Sequence, residues 1–130
     1  MKKIEHLGIA VSDLKAAEKI FTDVLGVTPY KREEVESEGV MTSFFKAGDS
    51  KIELLQSTTK DGPIARHISK RGEGLHHIAF KVDDLELEIS DLESKGYRCI
   101  SGPKDGADGK RIAFLHPSDT AKVLVELCAD

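Results

Sequence analysis

The 130-residue chain contains no tryptophan, few aromatic residues (5%) and two cysteines. Cys99 and Cys128 form no spaced ligand motif, so we expect neither a disulfide scaffold nor a cysteine-bound metal, and a reducing, cytoplasmic location fits them better. No apolar run approaches the ~20 residues of a membrane helix, so we expect no membrane partner. The net charge is −4 and no basic block is present, which argues against nucleic acid as a partner.

What the sequence does contain is an internal repeat. Residues 5–14 recur in modified form as residues 76–85, which places His6 and His77 at equivalent positions. A unit that is duplicated together with its histidine can bring two imidazoles together, and imidazole groups that converge in this way commonly bind a metal.

Each copy shows the same order of secondary structure. Strand-like alternation and helical periodicity predict a βαβββ unit in the first copy over residues 4–11, 13–25, 27–35, 40–47 and 51–56. The second copy predicts the same order over residues 75–82, 83–95, 97–100, 111–116 and 122–128. Asp13 and Gly26 are the expected ends of the first helix, and Asp83, with Glu86 three residues on, is the expected start of the second.

The length of the chain favours a single domain over residues 1–130. Its repeat units span about 1–56 and 75–130, and the polar linker 57–74 between them includes a short helical candidate at residues 64–69.

Alternate residues of a strand share a face, and we call this alternation strand parity. It places His6, Gly8 and Ala10 on one face of the first strand, and His77 and Ala79 on the matching face of the other copy. The small neighbours leave room beside each histidine. His76 has the opposite parity and is expected to pack or to support His77, whereas His67 and His116 have no partner in the repeat.

A second repeated pair consists of acids. Glu53 and Glu126 each occupy an apolar strand near the end of their unit. A carboxylate there is costly unless it is paired, hydrogen-bonded or metal-bound, although glutamates that face water are common in antiparallel sheets. Together with His6 and His77 they form a set of nitrogen and oxygen ligands, which suits a divalent Co, Zn, Ni, Mn or Fe ion better than calcium or magnesium.

With these features the chain resembles the vicinal oxygen chelate superfamily, which includes glyoxalases, extradiol dioxygenases and bleomycin-resistance proteins. Within it, two parts of the chain are similar to the methylmalonyl-CoA epimerase family: residues 62–65 with 70–80, and, more discriminating, residues 109–117 with 123–127. The resemblance implies an α+β glyoxalase fold, in which two βαβββ repeats form an open eight-stranded barrel-like cleft. It also implies an enzyme, often a homodimer, that acts on an acyl-CoA.

Carried over by position, the resemblance implies that His6, His77 and Glu126 bind the metal and that Glu53 stands where a fourth, more variable ligand falls. The implied reaction is the interconversion of (R)- and (S)-methylmalonyl-CoA through a metal-stabilised enolate. On our hypothesis Glu126 and Glu53 are its two bases. Lys110 and Arg111, beside the glycine-rich segment 102–109, are candidates for binding the CoA phosphates.

The chain departs from the family pattern at two places. Some epimerases are thought to use a further glutamate near the position of Thr42, which is not acidic, and Lys122 after Ala121 replaces a usual glycine. Two alternatives stay open: a glyoxalase I (lactoylglutathione lyase) with the same ligand set, and a metal-free protein that binds drugs or other ligands. The acidic fourth ligand, Glu53, argues against an extradiol dioxygenase, which uses two histidines and one carboxylate.

Overall fold

The computed structural model describes residues 2–130, which form eight strands and three α-helices. The strands are β1 (Lys3–Ala10), β2 (Lys31–Val35), β3 (Val40–Ala47), β4 (Ser50–Ser57), β5 (Gly74–Lys81), β6 (Cys99–Asp105), β7 (Arg111–Leu115) and β8 (Val125–Ala129). The helices are α1 (Leu14–Leu25), α2 (Pro63–Arg71) and α3 (Leu85–Ser94). The βαβββ order is therefore confirmed in both repeats, as is the short helix between them. None of these helices has the length and apolar character needed to cross a membrane.

The chain divides into two compact modules. The N-terminal module comprises residues 6–76, and the C-terminal module comprises residues 2–5 and 77–130. In the N-terminal module the strand order is β2-β3-β4-β1, with β4 antiparallel to β3 and parallel to β1. In the C-terminal module the order is β5-β8-β7-β6, with β8 parallel to β5 and antiparallel to β7. Each repeat therefore places its last strand beside its first.

Helix α1 begins and ends where the sequence predicts. The Asp13 carboxylate accepts a hydrogen bond from the Ala16 amide at the N-terminus, and Gly26 ends the helix in the left-handed conformation, with φ of 73°. The buried side of the helix packs on one face of the N-terminal sheet, in a cluster that contains Val11, Leu14, Ala17, Phe45 and Leu54. Helix α1 thereby covers the face of β1 opposite to His6.

The predicted start of α3 is wrong by one residue. Asp84, not Asp83, has the extended backbone of a capping residue, and its carboxylate accepts a hydrogen bond from the Leu87 amide. The expected capping box with Glu86 therefore does not form. Two adjacent aspartates make the local signal ambiguous, and starting at Asp84 buries Leu85 in the cluster that packs α3 on the C-terminal sheet.

Two strands begin several residues later than predicted. Strand β2 begins at Lys31 and not at residue 27, because Pro29 has no amide hydrogen to donate to a ladder. Strand β8 begins at Val125, because Ala121 and Lys122 are left-handed, with φ of 57° and 68°. Lys122, which replaces a glycine usual in the family, therefore lies at a turn whose left-handed backbone favours glycine.

Strand β6 is longer than predicted and extends to Asp105, into the segment expected to be a glycine-rich loop. It pairs with β7 through two register shifts. Gly102, with φ of 90°, lies so close to β7 that a Cβ atom there would collide with the carbonyl oxygen of Ile112. This glycine therefore serves the contact between two strands.

Helix α2, whose first residue is Pro63, covers part of the other face of the N-terminal sheet. Ile64 is buried against Ala10, Val40 and Leu55, and Ile68 packs on the same cluster. Since Ala10 shares a face with His6, this apolar cluster lies on the histidine side of β1.

Candidate active site

The first histidine and the first glutamate form a buried pair in the N-terminal module. His6 and Glu53 are each 4% exposed, and His6 Nδ1 lies 3.0 Å from Glu53 Oε2. The parallel register of β1 and β4 places Gly8 beside Glu53, and His6 precedes Gly8 by two residues on the same face. A residue without a side chain next to the carboxylate lets the imidazole reach it.

The C-terminal module repeats this arrangement. His77 Nε2 lies 3.3 Å from Glu126 Oε1, and the two residues are 8% and 4% exposed. The parallel register of β5 and β8 places Ala79 beside Glu126, as Gly8 is placed beside Glu53. The sequence repeat of the His and Glu positions therefore corresponds to the same residue pair and strand register in each module. The imidazole nitrogen that faces the glutamate differs, Nδ1 in His6 and Nε2 in His77.

A phenylalanine stands opposite each glutamate, which our sequence analysis missed. In the antiparallel registers, Phe44 pairs with Glu53 and Phe114 pairs with Glu126. Phe44 is fully buried, and the Phe114 ring meets the His77 ring edge to face, with centroids 5.8 Å apart. The first of these phenylalanines could have been found by counting back from the hairpin turn at residues 47–50. Both carboxylates thus lie beside an apolar ring, which limits access of water.

The donor chemistry of the two pairs fits a divalent transition-metal ion or zinc. Each pair offers one imidazole nitrogen and one carboxylate oxygen at a buried position. These donors suit such an ion, and buried carboxylates of this kind are stable when they are paired or bound to a cation. The same groups can also hold or transfer a proton next to a bound molecule.

The structure places Lys110 and Arg111 in ion pairs within the chain. Lys110 Nζ pairs with a carboxylate oxygen of Asp130, and Arg111 pairs with Glu86 at 2.5 Å. Hydrogen bonds from Lys110 and then Lys81 lower the pKa of Asp130 to about 2. A role of these two cations in binding phosphate groups would require them to exchange these partners, and it stays a prediction.

Of the other histidines, two contact each other. His67 on α2 and His76 on β5 meet edge to face, with ring centroids 4.8 Å apart. His76 thus packs against the linker helix, in agreement with its parity. His116 instead accepts a hydrogen bond at Nδ1 from the Ser118 amide and caps the turn between β7 and β8.

The His76 contact predicts a loss of stability in acid. Burial, and secondarily the nearby His67, lowers the pKa of His76 from 6.5 to about 4. A histidine with a lowered pKa stabilises the fold above pH 6.5 and loses this contribution as the pH falls toward 4. We expect His76 to cost about 2 kcal/mol of unfolding free energy at pH 5 relative to pH 7.5. Urea unfolding of metal-free wild type and His76→Gln measures this: the variant should lose less stability, and equal losses would contradict the prediction.

Comparisons with known proteins identify the family to which the chain is similar. Residues 5–114 match the model of the glyoxalase/bleomycin resistance protein/dioxygenase superfamily. The chain is 41% identical over 129 residues to the uncharacterized protein YqjC of Bacillus subtilis. This alignment covers 98% of the chain and 92% of YqjC. It is 38% identical over 127 residues to the mitochondrial methylmalonyl-CoA epimerase of Bos taurus, and this alignment covers 96% of the chain and 73% of that protein.

A solved structure of a methylmalonyl-CoA epimerase in complex with methylmalonyl-CoA and NH4+ superposes with a TM-score of 0.95 at 35% identity, covering 100% of this chain and 95% of that one. The α+β glyoxalase fold predicted from the sequence is therefore confirmed. By the match to the family model and by its similarity to these relatives, the chain belongs to the glyoxalase/bleomycin resistance protein/dioxygenase superfamily.

Proposed function

We propose that the chain is a metal-dependent epimerase that interconverts (R)- and (S)-methylmalonyl-CoA. The observation that carries the proposal is the repeated, buried His–Glu pair, His6 with Glu53 and His77 with Glu126. The similarity to methylmalonyl-CoA epimerases over nearly the whole chain supports the choice of substrate.

We further propose that the four residues of the two pairs hold one divalent cation. His6, His77 and Glu126 would be three of its ligands, and Glu53 the fourth. Bound there, the cation would supply Lewis-acid stabilisation of negative charge on the substrate oxygens.

The glutamates would move the proton. Epimerisation breaks the C–H bond between the thioester and the carboxylate, leaves the electron pair on the enolate, and returns a proton to the opposite face. The repeat supplies two carboxylates, Glu53 and Glu126, each held 3.0 or 3.3 Å from an imidazole. One would accept the α-proton as the other, protonated, gives one to the opposite face.

Low exposure would support this role. Each glutamate is 4% exposed and lies beside a phenylalanine, Phe44 or Phe114. An environment that limits water strengthens the interaction of a carboxylate with a substrate proton and reduces quenching of the enolate by solvent.

The comparisons give no support to the lactoylglutathione lyase alternative. The metal-free binding protein is the alternative that measurement must separate from the proposal. We also propose, following the family, that the two modules form one domain and that the chain is a homodimer.

The direct test is exchange at the α-carbon. In D₂O, the purified wild-type chain should convert (S)-methylmalonyl-CoA into both enantiomers and incorporate one deuterium per molecule, as mass spectrometry and chiral analysis would detect. Methylglyoxal with glutathione serves as the comparison substrate and should give no lactoylglutathione. Absence of exchange with methylmalonyl-CoA would overturn the proposed function.

A further inference from the structure

Thr42 carries a polar atom whose burial needs an explanation. Its side chain is 0% exposed, and within residues 2–130 its Oγ1 has no hydrogen-bond partner. A hydroxyl enclosed in this way has lost its hydrogen bonds to water without gaining others, and buried polar groups are nearly always paired.

The register places Thr42 on the same face of the sheet as Glu53. Thr42 pairs with Leu55 across the β3–β4 ladder, and Phe44, two residues on, pairs with Glu53. Ser43 lies on the opposite face, where its hydroxyl donates a hydrogen bond to Glu18 on α1. Thr42 therefore lies between Phe44, opposite the glutamate, and the apolar cluster that α2 covers.

The second repeat shows that packing does not require a hydroxyl at this position. Phe114 opposite Glu126 corresponds to Phe44 opposite Glu53, so Ile112 corresponds to Thr42. Ile112 is 6% exposed and packs as an ordinary core residue. An apolar side chain of similar shape thus satisfies the fold, and the polar atom of Thr42 is specific to one repeat.

We propose that the Thr42 hydroxyl binds the substrate, donating a hydrogen bond to a carboxylate or thioester oxygen of an acyl-CoA positioned at Glu53. The proposal rests on the proposed function and adds to it a group that selects and orients the substrate. A hydroxyl can donate to an anionic oxygen, and such a bond is stronger in a site from which water is excluded.

The test compares Thr42→Val, which removes only the hydroxyl, with Thr42→Ser, which retains it. We expect kcat/KM for methylmalonyl-CoA to fall by ~10-fold or more in T42V, largely through KM, and by less than ~3-fold in T42S. The melting temperature of T42V should equal or exceed that of the wild type, because valine is not penalised for an unpaired hydroxyl. If T42V does not fold, T42A provides the comparison with T42S.

Ile112→Val is the matched control in the other repeat and should leave KM unchanged. Wild-type kinetics in T42V, with or without a gain in stability, would overturn the role of Thr42 and would mean that the hydroxyl is only buried or bound to water. Turnover of methylmalonyl-CoA by the wild type is measured alongside. A wild type without turnover would overturn the proposed function and this proposal together, whereas an active wild type with an unaffected T42V would overturn this proposal alone.

Discussion

Glu126→Gln should lower the turnover of methylmalonyl-CoA by ~10²-fold or more. Glutamine has nearly the shape of glutamate and can still accept a hydrogen bond, but it cannot take up the α-proton. The buried position of Glu126 beside His77 and Phe114 leaves little room for water to replace it as a base. Steady-state kinetics with a coupled mutase assay measure the effect, and near-normal turnover would remove Glu126 from the role of base.

Glu53→Gln tests the other proposed base, and deuterium exchange at the α-carbon separates the two proposed roles. If the glutamates act on opposite faces, each variant should still exchange the α-proton of one enantiomer with D₂O while failing to invert it. Loss of exchange for both enantiomers in one variant would instead assign both proton transfers to that residue.

Glu18 provides the control for loss of a buried carboxylate. It is 9% exposed, lies on α1 and accepts hydrogen bonds from Arg32 and Ser43 on the face of the sheet away from Glu53. The hydrogen bond from Arg32 lowers its pKa most strongly. Glu18→Gln should reduce stability and leave turnover unchanged, so a catalytic effect at Glu126 cannot be ascribed to a weakened fold.

The parts of the fold that could be predicted from the sequence are those set by local chemistry. Asp13 and Gly26 bound α1 because a carboxylate satisfies free amides at a helix start and glycine adopts the left-handed conformation at its end. Strand parity likewise places His6 and Gly8 on one face whatever the rest of the chain does. The repeat then extends these predictions to the second copy.

Other features depend on contacts between distant residues. The length of β6 is set by the approach of Gly102 to β7. The cap of α3 could have been predicted, because the repeat aligns Asp84 with Asp13, the cap of α1. The salt bridge of Lys110 with Asp130 joins residues far apart in sequence. Strand parity could not reveal that the Thr42 hydroxyl lacks a hydrogen-bond partner among residues 2–130, because that fact depends on every atom around it.

Removal of the metal should abolish exchange at the α-carbon. We expect about one divalent ion per chain by elemental analysis of the purified protein, loss of α-carbon exchange after dialysis against a chelator, and recovery on addition of Co²⁺ or Zn²⁺. His77→Asn should weaken Co²⁺ binding by ~10²-fold or more, since it replaces a nitrogen ligand. Equilibrium dialysis and the visible absorption of bound Co²⁺ report this without an activity assay.

His116→Asn is the control for the loss of a histidine, because His116 caps a turn and belongs to neither His–Glu pair. It should bind Co²⁺ like the wild type. A wild-type chain that binds no metal and still binds an acyl-CoA would support the metal-free binding protein instead. Equal Co²⁺ affinity in His77→Asn and wild type would show that the ion binds elsewhere. If the prediction holds, the repeated histidines bind the cation and the repeated glutamates lie beside them, so one duplicated strand pattern provides both the Lewis acid and the bases.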